Sequence, residues 1–253
     1  MTLHLRQIAL VARELDPVVT ELENVLGLEI CYRDPGVAHF GLHNALLPVG
    51  SQFLEVVAPI EENTAGGRYL DRRGGDGGYM VITQTDDHPR RRARVEELGI
   101  RIVSDFSHDG FTNMQLHPAD TGGSFLEIDR QDGDDPTGRW EPAGPEWEPQ
   151  VRTDVVSAIS AAEIQSTEPD RLAARWGEIV EIDVGSSDGL PTIELDNARV
   201  RFVEATDGRG EGLGGLDLVA TDADRALSRA EEHGNRSGER QVTIGGMRIN
   251  LVD

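Results

Sequence analysis

Two stretches of the chain repeat one pattern, GSQFLEVVAP at residues 50–59 and GGSFLEIDRQ at residues 122–131. Each places Phe-Leu-Glu after a glycine-containing turn and continues with apolar residues, which is typical of a buried strand. Burying a carboxylate without a partner is costly, so Glu55 and Glu127 must each face water, a partner group or a ligand. The repeat therefore marks both glutamates as candidate functional residues.

The same spacing organises the rest of the chain. Glu127 follows Glu55 by 72 residues, and Met80 follows Gln7 by 73 residues. Four apolar runs are each followed by a helical segment with capping signals and then by short strand-like runs. The helical segments lie at residues 16–27, 86–99, 166–180 and 222–234. The repeated unit of a strand, a helix and several further strands predicts an α+β fold built from four similar modules.

A stretch rich in Pro, Gly and acidic residues, DGDDPTGRWEPAGPEWEP at 132–149, separates the two pairs of modules. This composition favours a linker. We therefore expect two domains, residues 1–131 and 150–253, with two modules in each. The glycine-rich segment GGRYLDRRGGDGG at 66–78 is interpreted as the crossing between the first two modules.

Composition excludes several classes of function. The formal net charge is −22, and all 24 basic residues are Arg. Nucleic acid is an unlikely partner for such a surface, and the lack of Lys removes Schiff-base chemistry. The one cysteine, Cys31, excludes an internal disulfide and a thiolate metal cluster. No apolar run approaches the length of a membrane span, so we expect a soluble cytoplasmic protein without a membrane partner.

The four-module pattern resembles the vicinal oxygen chelate superfamily, which includes glyoxalases, methylmalonyl-CoA epimerases, extradiol dioxygenases and bleomycin-resistance proteins. The resemblance is carried by RQIALVARELD (6–16), GSQFLEVVAP, GGYMVITQTDD (77–87) and HPADTGGSFLEIDR (117–130). It implies that the four modules are βαβββ units and that paired modules curl into a cup around a small-molecule ligand.

The resemblance also implies a divalent metal ion, such as Zn, Ni, Mn, Mg or Fe, held by the first and last strands of each module. The corresponding positions here are Gln7, Glu55, Met80 and Glu127. Gln at the first position is a known variant, but Met80 stands where the family has His. Because a thioether is a poor ligand for these ions, the expected metal ligands are Gln7, Glu55 and Glu127.

The two glutamates support more than one interpretation. If the faces that carry Glu55 and Glu127 line the cup, the carboxylates converge as metal ligands, or as a catalytic base and acid whose pKa values are split by proximity. If those faces are solvated, the two carboxylates never meet.

Four further residues are candidates for substrate binding. Either His43 or Asn44 must share the face of Glu55, and a two-residue turn at Gly50-Ser51 favours Asn44. Met80 could form an apolar wall of the cup, or simply pack. His117 begins the turn before the last strand, where it could reach the cup or lie at its rim.

In the second domain, the positions that match the metal ligands are Ala161, Glu204, Asp217 and Asn250, which form no familiar ligand set. We therefore expect this domain to be structural or interfacial.

Two functions remain open. One is a glyoxalase-like lyase or isomerase that acts on a small oxygenated metabolite in the N-terminal cup. The alternative is a metal-free protein of the resistance type that binds or sequesters a small molecule without turnover. An extradiol dioxygenase is disfavoured because it needs two His and one carboxylate. Since each cup needs two modules, the chain could complete its cups alone or exchange modules in a homodimer.

Overall fold

The computed structural model describes residues 2–253, and its N-terminal half forms a seven-stranded sheet. The strands lie in the order β2-β3-β1-β4-β7-β6-β5. Their bounds are β1 Leu3–Val11, β2 Leu42–Val49, β3 Gln52–Pro59, β4 Gly77–Thr85, β5 Ile102–His108, β6 Phe111–Leu116 and β7 Phe125–Gln131. The helices of this half are α1 Leu15–Leu26, α2 Ala65–Arg73 and α3 His88–Glu97.

The C-terminal half repeats this arrangement, with the strand order β13-β14-β12-β8-β11-β10-β9. The strands are β8 Val156–Ser166, β9 Gly185–Ser187, β10 Leu190–Glu194, β11 Arg199–Glu204, β12 Gly212–Ala220, β13 Gln241–Ile244 and β14 Met247–Val252. The helices are α4 Pro169–Val180 and α5 Ala223–His233.

Each sheet is a pair of βαβββ modules, which confirms the predicted fold class. The two modules of a sheet join through their first strands, β1 with β4 and β8 with β12, in antiparallel pairing. The first and fourth modules are reduced, because the strand that would follow each helix is a single bridge. These bridges pair Tyr32 with Leu46 and Arg236 with Val242.

The apolar core lies on the helical faces of both sheets and is continuous between the two halves. Helix α1 packs against α5, and α3 packs against α4. Gln52, in β3, bonds to a strand of the other half: its Oε1 accepts from the Ile159 backbone N–H at 2.8 Å and its Nε2 donates to the Ile159 carbonyl at 2.9 Å. The opposite faces carry the polar residues, and in the first sheet this face is partly covered by α2, whose Tyr69 and Leu70 pack with Val57 and Phe125.

Residues 66–78 are not a plain crossing, because most of them belong to helix α2. Thr64 caps this helix by accepting a hydrogen bond from the Gly67 backbone N–H at 2.9 Å. The helix ends at Gly74, whose φ of 76° is the left-handed conformation that glycine adopts most easily. The glycine content of the segment concealed this helix. The sequence interpretation is therefore corrected from a crossing to a crossing that contains helix α2.

Residues 132–150, here called the strap, connect the two sheets and lie against the first one. The strap contains two short 3-10 helices, Glu141–Ala143 and Glu148–Gln150. Trp140 is fully buried and Trp147 is 5% exposed, and both pack with residues of the first sheet. The division into domains at residues 131 and 150 stays a proposal.

Among residues 2–253, no helix combines the length and the apolar character that crossing a membrane requires.

Candidate functional site

The face of the first sheet opposite α1 and α3 carries a cluster of mostly polar residues that we call the first cup. Its members are Gln7, Asn44, Glu55, Met80, Asn113, Glu127 and Asp129, contributed by β1, β2, β3, β4, β6 and β7. The opposite sides of these strands carry the apolar core, for example Ile8, Leu54 and Leu126. Strand alternation therefore explains why these polar side chains meet on one face.

Glu55 lies at the centre of a chain of hydrogen bonds. Asn44 Nδ2 donates to Glu55 Oε1 at 2.6 Å, and Gln7 Nε2 donates to Glu55 Oε2 at 2.9 Å. Each amide is oriented by a group that can only donate. The Asp34 backbone N–H donates to Asn44 Oδ1 at 2.8 Å, and the Trp140 indole Nε1–H donates to Gln7 Oε1 at 2.9 Å. Both oxygens of Glu55 therefore act as hydrogen-bond acceptors.

Burial and hydrogen bonding act in opposite directions on Glu55. Burial raises its pKa, and the hydrogen bonds from Asn44 and Gln7 lower it, with a net pKa above the ordinary value for Glu. Glu55 is 7% exposed, so a small part of the carboxylate still faces the cup. A carboxylate with a raised pKa that retains its acceptor role is suited to accept a proton.

Glu127 and Asp129 form a second carboxyl cluster on β7. Burial raises the pKa of Asp129 to about 8, against hydrogen bonds from the Met114 backbone N–H and the Asn113 amide. Burial, followed by the charges of Asp129 and Glu55, raises the pKa of Glu127 well above its ordinary value. Asn113 Nδ2 donates to both carboxyl groups, and the buried Asp129 Oδ2 has no hydrogen-bond partner among residues 2–253, so a proton on the pair would be favoured there. This pair therefore holds a proton at neutral pH.

Glu55 and the Glu127–Asp129 pair belong to one electrostatic environment. The charge of Glu55 contributes to the raised pKa of Glu127, and both glutamates contribute to raising the pKa of Tyr79 after the larger effect of burial. Glu127 itself is half-buried and thus more open to a ligand than Glu55. The cup therefore combines an acceptor carboxylate with a proton-holding pair.

A β-bulge adds a cation to the base of this face. The register between β1 and β4 shifts between Leu5 and Gln7, so Arg6 has no partner on β4. The Arg6 guanidinium lies 5.0 Å from the ring centroid of Trp140 and donates to the carbonyl oxygens of Pro136 and Gly138. Burial lowers its pKa to about 10. Arg6 therefore bonds to the strap and not to the carboxylates of the cup.

The remaining predicted binding residues are dispersed. His43 is exposed on β2, as expected if Asn44 shares the face of Glu55 across the two-residue turn at Gly50-Ser51. His117 lies in the turn after β6, where its Nδ1 accepts from the Ala119 backbone N–H at 3.1 Å. Met80 is half-buried in the cup, and its sulfur accepts a hydrogen bond from Gln115 Nε2 at 3.5 Å. Substrate binding by these residues stays a prediction.

The donor set of the first cup does not fit a divalent metal ion as it is arranged. Gln7 directs its amide N–H, not its oxygen, toward Glu55, and both Glu55 oxygens already accept N–H groups. Met80 supplies only a thioether, which suits soft ions. Among residues 2–253, no group of three or more His, Cys, Asp or Glu side chains is arranged to hold a metal ion.

The helix-free face of the second sheet, the second cup, has a different charge arrangement. Arg201 bonds both oxygens of Asp217 at 2.6 and 2.8 Å and Glu163 at 2.8 Å. Arg248 donates to Glu163 at 2.8 Å, and Asn250 donates to Asp217 at 2.7 Å. Each of these carboxylates is therefore neutralised by at least one guanidinium.

The sequence comparison of the two domains was partly wrong. Glu204 is exposed at the end of β11, and Ala161 contributes no polar group. Glu163 and Arg201, which are register partners on β8 and β11, occupy the second cup instead. The three register shifts between β8 and β12 contribute to this difference, because each insertion changes which residues share a face.

Four residues that lie in the first cup or contact its members were not among the predicted site residues, namely Arg6, Asn113, Asp129 and Trp140. Asp129 could have been found, because strand alternation places it on the face of Glu127. Trp140 could not, since it lies in a segment whose composition favours a linker. Arg6 reaches the cup only through the bulge, for which the sequence gives no signal.

The family was identified by comparison with known proteins. Residues 8–180 match the family model described as a glyoxalase-like domain, and the chain therefore belongs to that family, within the vicinal oxygen chelate superfamily. The match extends from β1 to the end of α4 and includes the strap. The search of curated proteins found no match.

Solved structures share the fold at low sequence identity. A hypothetical protein from Staphylococcus aureus is 12% identical, with a TM-score of 0.65 over 100% of this chain and 99% of that one. A Mn(II)-bound glyoxalase from Novosphingobium aromaticivorans is 13% identical, with a TM-score of 0.67 over 98% and 81%. A triple mutant of 4-hydroxymandelate synthase from Streptomyces coelicolor is 14% identical, with a TM-score of 0.67 over 93% and 77%.

Proposed function

We propose that the first cup transfers protons on a small oxygenated metabolite, in a reaction of the isomerase or lyase type. One observation carries this proposal: a carboxylate that accepts two hydrogen bonds, Glu55, lies in the electrostatic field of a carboxyl pair that holds a proton, Glu127 with Asp129. Such a separation of roles between neighbouring carboxyl groups is how acid and base are assigned in general acid–base catalysis.

The residues would divide the reaction as follows. Glu55 removes a proton from a carbon next to a carbonyl group, so the C–H bond breaks and an O–H bond forms on Glu55. The proton-holding pair donates a hydrogen bond or its proton to the carbonyl oxygen, which stabilises the enol that forms. Return of the proton to the opposite face of the same carbon, with the enol O–H proton going back to the pair, gives an isomer. Departure of a leaving group from the adjacent carbon with its bonding electrons, as a C=C bond forms and the carbonyl is restored, gives a lyase product.

Asp129 and Asn113 support Glu127 without contacting the substrate. Asn113 Nδ2 donates to Glu127 Oε2 at 3.3 Å and to Asp129 Oδ1 at 3.2 Å. The Met114 backbone N–H donates to the same Asp129 oxygen at 3.0 Å. These donors leave the second oxygen of Asp129 for the proton shared with Glu127. The half-buried Glu127 is therefore the member of the pair that delivers the proton.

Hydrogen–deuterium exchange tests the proposal without knowledge of the natural substrate. The protein is incubated in D₂O with dihydroxyacetone, a neutral hydroxy ketone, and with pyruvate, and deuterium at the carbon next to the carbonyl is followed by NMR. We expect exchange with at least one probe, reduced by roughly 10²-fold or more in Glu55→Gln. Glu204→Gln is the matched control, because Glu204 is exposed in the second half and should retain full exchange.

If the wild type exchanges neither probe faster than Glu55→Gln does, proton transfer is rejected for this class of carbonyl compound.

A second function is favoured by the small opening at Glu55, which is 7% exposed. The cup would then bind a small molecule without turnover. That function requires a probe to raise the melting temperature of the wild type but not of Glu127→Gln, with no exchange in either.

A further inference from the structure

We propose that Trp140 is a positioning residue that keeps divalent metal ions out of the first cup by fixing the orientation of the Gln7 amide. The inference goes beyond the proposed proton transfer and does not depend on it. It rests on the hydrogen bonds of Gln7, on the burial of Trp140 and on the way the strap holds that side chain.

The amide of Gln7 has one orientation that satisfies both of its neighbours. The indole of Trp140 can only donate, so it requires the amide oxygen, and Gln7 Oε1 lies 2.9 Å from its Nε1. The Glu55 carboxylate can only accept when ionised, so it requires the amide N–H at 2.9 Å. Turning the amide over would place two donors together at Trp140 and two oxygens together at Glu55.

Contacts of the strap fix the position of Trp140, so its indole cannot move away from the Gln7 amide. The indole is fully buried, with its ring perpendicular to that of Phe111 at a centroid distance of 5.4 Å. The next residue, Glu141, donates its backbone N–H to Gln131 Oε1 at 3.0 Å, which ties the strap to β7. On the other side Arg6 binds two strap carbonyl oxygens. The indole N–H is therefore held in place from both ends.

This orientation decides what the cup can hold. Hard divalent ions require oxygen ligands, and the Gln7 oxygen is turned away from Glu55. The amide N–H that faces Glu55 would also meet a bound cation with its positive end. Without the indole N–H, the amide is free to turn, and Gln7 Oε1 would join the carboxylates of Glu55 and Glu127 as a third oxygen ligand.

The experiment compares Trp140→Phe with Trp147→Phe. Both tryptophans belong to the strap and are buried, but Trp147 contacts the ring of Phe53 and makes no hydrogen bond to Gln7 among the described residues. Mn²⁺ affinity is measured by titration calorimetry and by the loss of the free-ion EPR signal. We expect Trp140→Phe to bind Mn²⁺ at least about 10-fold more tightly than the wild type and Trp147→Phe, the scale on which groups that orient metal ligands act.

Gln7→Glu provides a second route that keeps the strap and Trp140 intact. A carboxylate at position 7 can accept from the indole with one oxygen and present the other toward Glu55, so Mn²⁺ binding should again increase. Adding Glu55→Gln to either variant should remove the gained affinity, which places the ion in the cup.

The proposal is overturned if the wild type binds Mn²⁺ as tightly as Trp140→Phe and loses it in Glu55→Gln. It is also overturned if neither Trp140→Phe nor Gln7→Glu gains affinity while circular dichroism shows both to be folded. Should Trp140→Phe fail to fold, Gln7→Glu alone decides. None of these results bears on deuterium exchange, so the proposed proton transfer can stand or fall separately.

Discussion

The two cups of this protein share one fold but surround their buried carboxylates with different hydrogen-bond partners. In the second cup, Arg201 and Arg248 bind Glu163 and Asp217 directly. In the first cup, Glu55 and Glu127 receive hydrogen bonds only from neutral amides among the described residues. Arg6, the guanidinium that the bulge brings to that face, bonds to the strap.

This difference separates a structural cluster from a chemically adaptable one. Ion pairs compensate the carboxylates of the second cup, and they raise the pKa of Arg201 although burial alone would lower it. The first cup has no such compensation, so burial raises the pKa of Glu55, Glu127 and Asp129. Groups that can gain or lose a proton near neutral pH are those that catalysis uses. The comparison therefore supports the proposal that the first cup carries the function.

Removing the central cation of the second cup should have the largest effect. Arg201→Met leaves Asp217 and Glu163 without their shared partner, and loss of one member of a buried ion pair costs about 3–5 kcal/mol. Urea denaturation at pH 7 measures the change. Arg236→Met is the control, because its ion pair with Glu231 is exposed and should contribute less than about 0.5 kcal/mol. A loss below ~1 kcal/mol for Arg201→Met would mean that the second cup is not held by its charges.

The pH dependence of stability should distinguish Asp129 from Asp217. Asp129 has a folded pKa of about 8, above the unfolded value of 3.8. The folded protein therefore holds a proton that the unfolded chain releases, and this contribution to stability falls between pH 4 and 8. The slope is at most about 1.4 kcal/mol per pH unit. Asp129→Asn imitates the protonated side chain and keeps the bonds to Asn113 and Met114, so it should remove that slope.

Measured against the wild type, Asp129→Asn should become progressively more stable from pH 6 to pH 8, by roughly 2 kcal/mol in total. Asp217→Asn should instead be less stable than the wild type at every pH in this range, because its new amide N–H faces the Arg201 guanidinium. Denaturation curves at pH 6, 7 and 8 for the three proteins provide the data. Parallel pH profiles for Asp129→Asn and the wild type would contradict the shared proton.

Within the first cup, Glu55 and Glu127 should respond differently to the same substitution. Glu55→Gln places an amide N–H against the N–H groups of Gln7 or Asn44, which should cost roughly 1–3 kcal/mol of unfolding free energy. Glu127→Gln imitates a protonated carboxyl that donates to Asp129, so its cost should stay within about 0.5 kcal/mol. Urea denaturation at pH 7 tests both. Equal losses would show that the two carboxyl groups do not divide the roles of acceptor and donor.

Features of this molecule that depend on local interactions could be predicted from the sequence, whereas features that depend on strand pairing and long-range packing could not. Strand period and the 72-residue repeat place Glu55 and Glu127 in equivalent strands, the turn at Gly50-Ser51 places Asn44 on the face of Glu55, and the fold class follows from the same repeat. The bulge that turns Arg6 toward the cup arises from the pairing of β1 with β4, which the sequence does not reveal. Trp140 reaches Gln7 across 133 residues of chain, and only the packing of the strap brings them together.

The second cup shows the same limit. The repeat aligned Glu204 with Glu55, but β11 pairs with β8 so that Arg201 faces Glu163. Because an odd-numbered shift along a strand exchanges its two faces, the alignment selected the exposed Glu204 instead of Arg201. Helix α2 was missed for a different reason, because its three-residue Ala-Gly-Gly start is weak in helix propensity and the Thr64 cap compensates for it.

The smallest expected effect concerns the amide that each cup uses to bind a carboxylate. Asn250 Nδ2 donates to Asp217 at 2.7 Å, much as Asn44 Nδ2 donates to Glu55 at 2.6 Å. Asp217 also has two bonds from Arg201, so Asn250→Ala should cost only about 0.5–1 kcal/mol, the net value of one hydrogen bond. Asn44→Ala should exceed it, because Glu55 keeps only the Gln7 donor and the Asp34 N–H loses its acceptor.

Urea denaturation of both alanine variants at pH 7 measures this difference, with His43→Ala as the control because His43 is the exposed neighbour of Asn44. His43→Ala should change the unfolding free energy by less than about 0.5 kcal/mol. If Asn250→Ala proved as costly as Asn44→Ala, the Arg201 ion pairs would not be compensating for the lost amide. The charge difference between the cups would then have no energetic consequence, and Glu55 would have no greater dependence on its amides than Asp217 has.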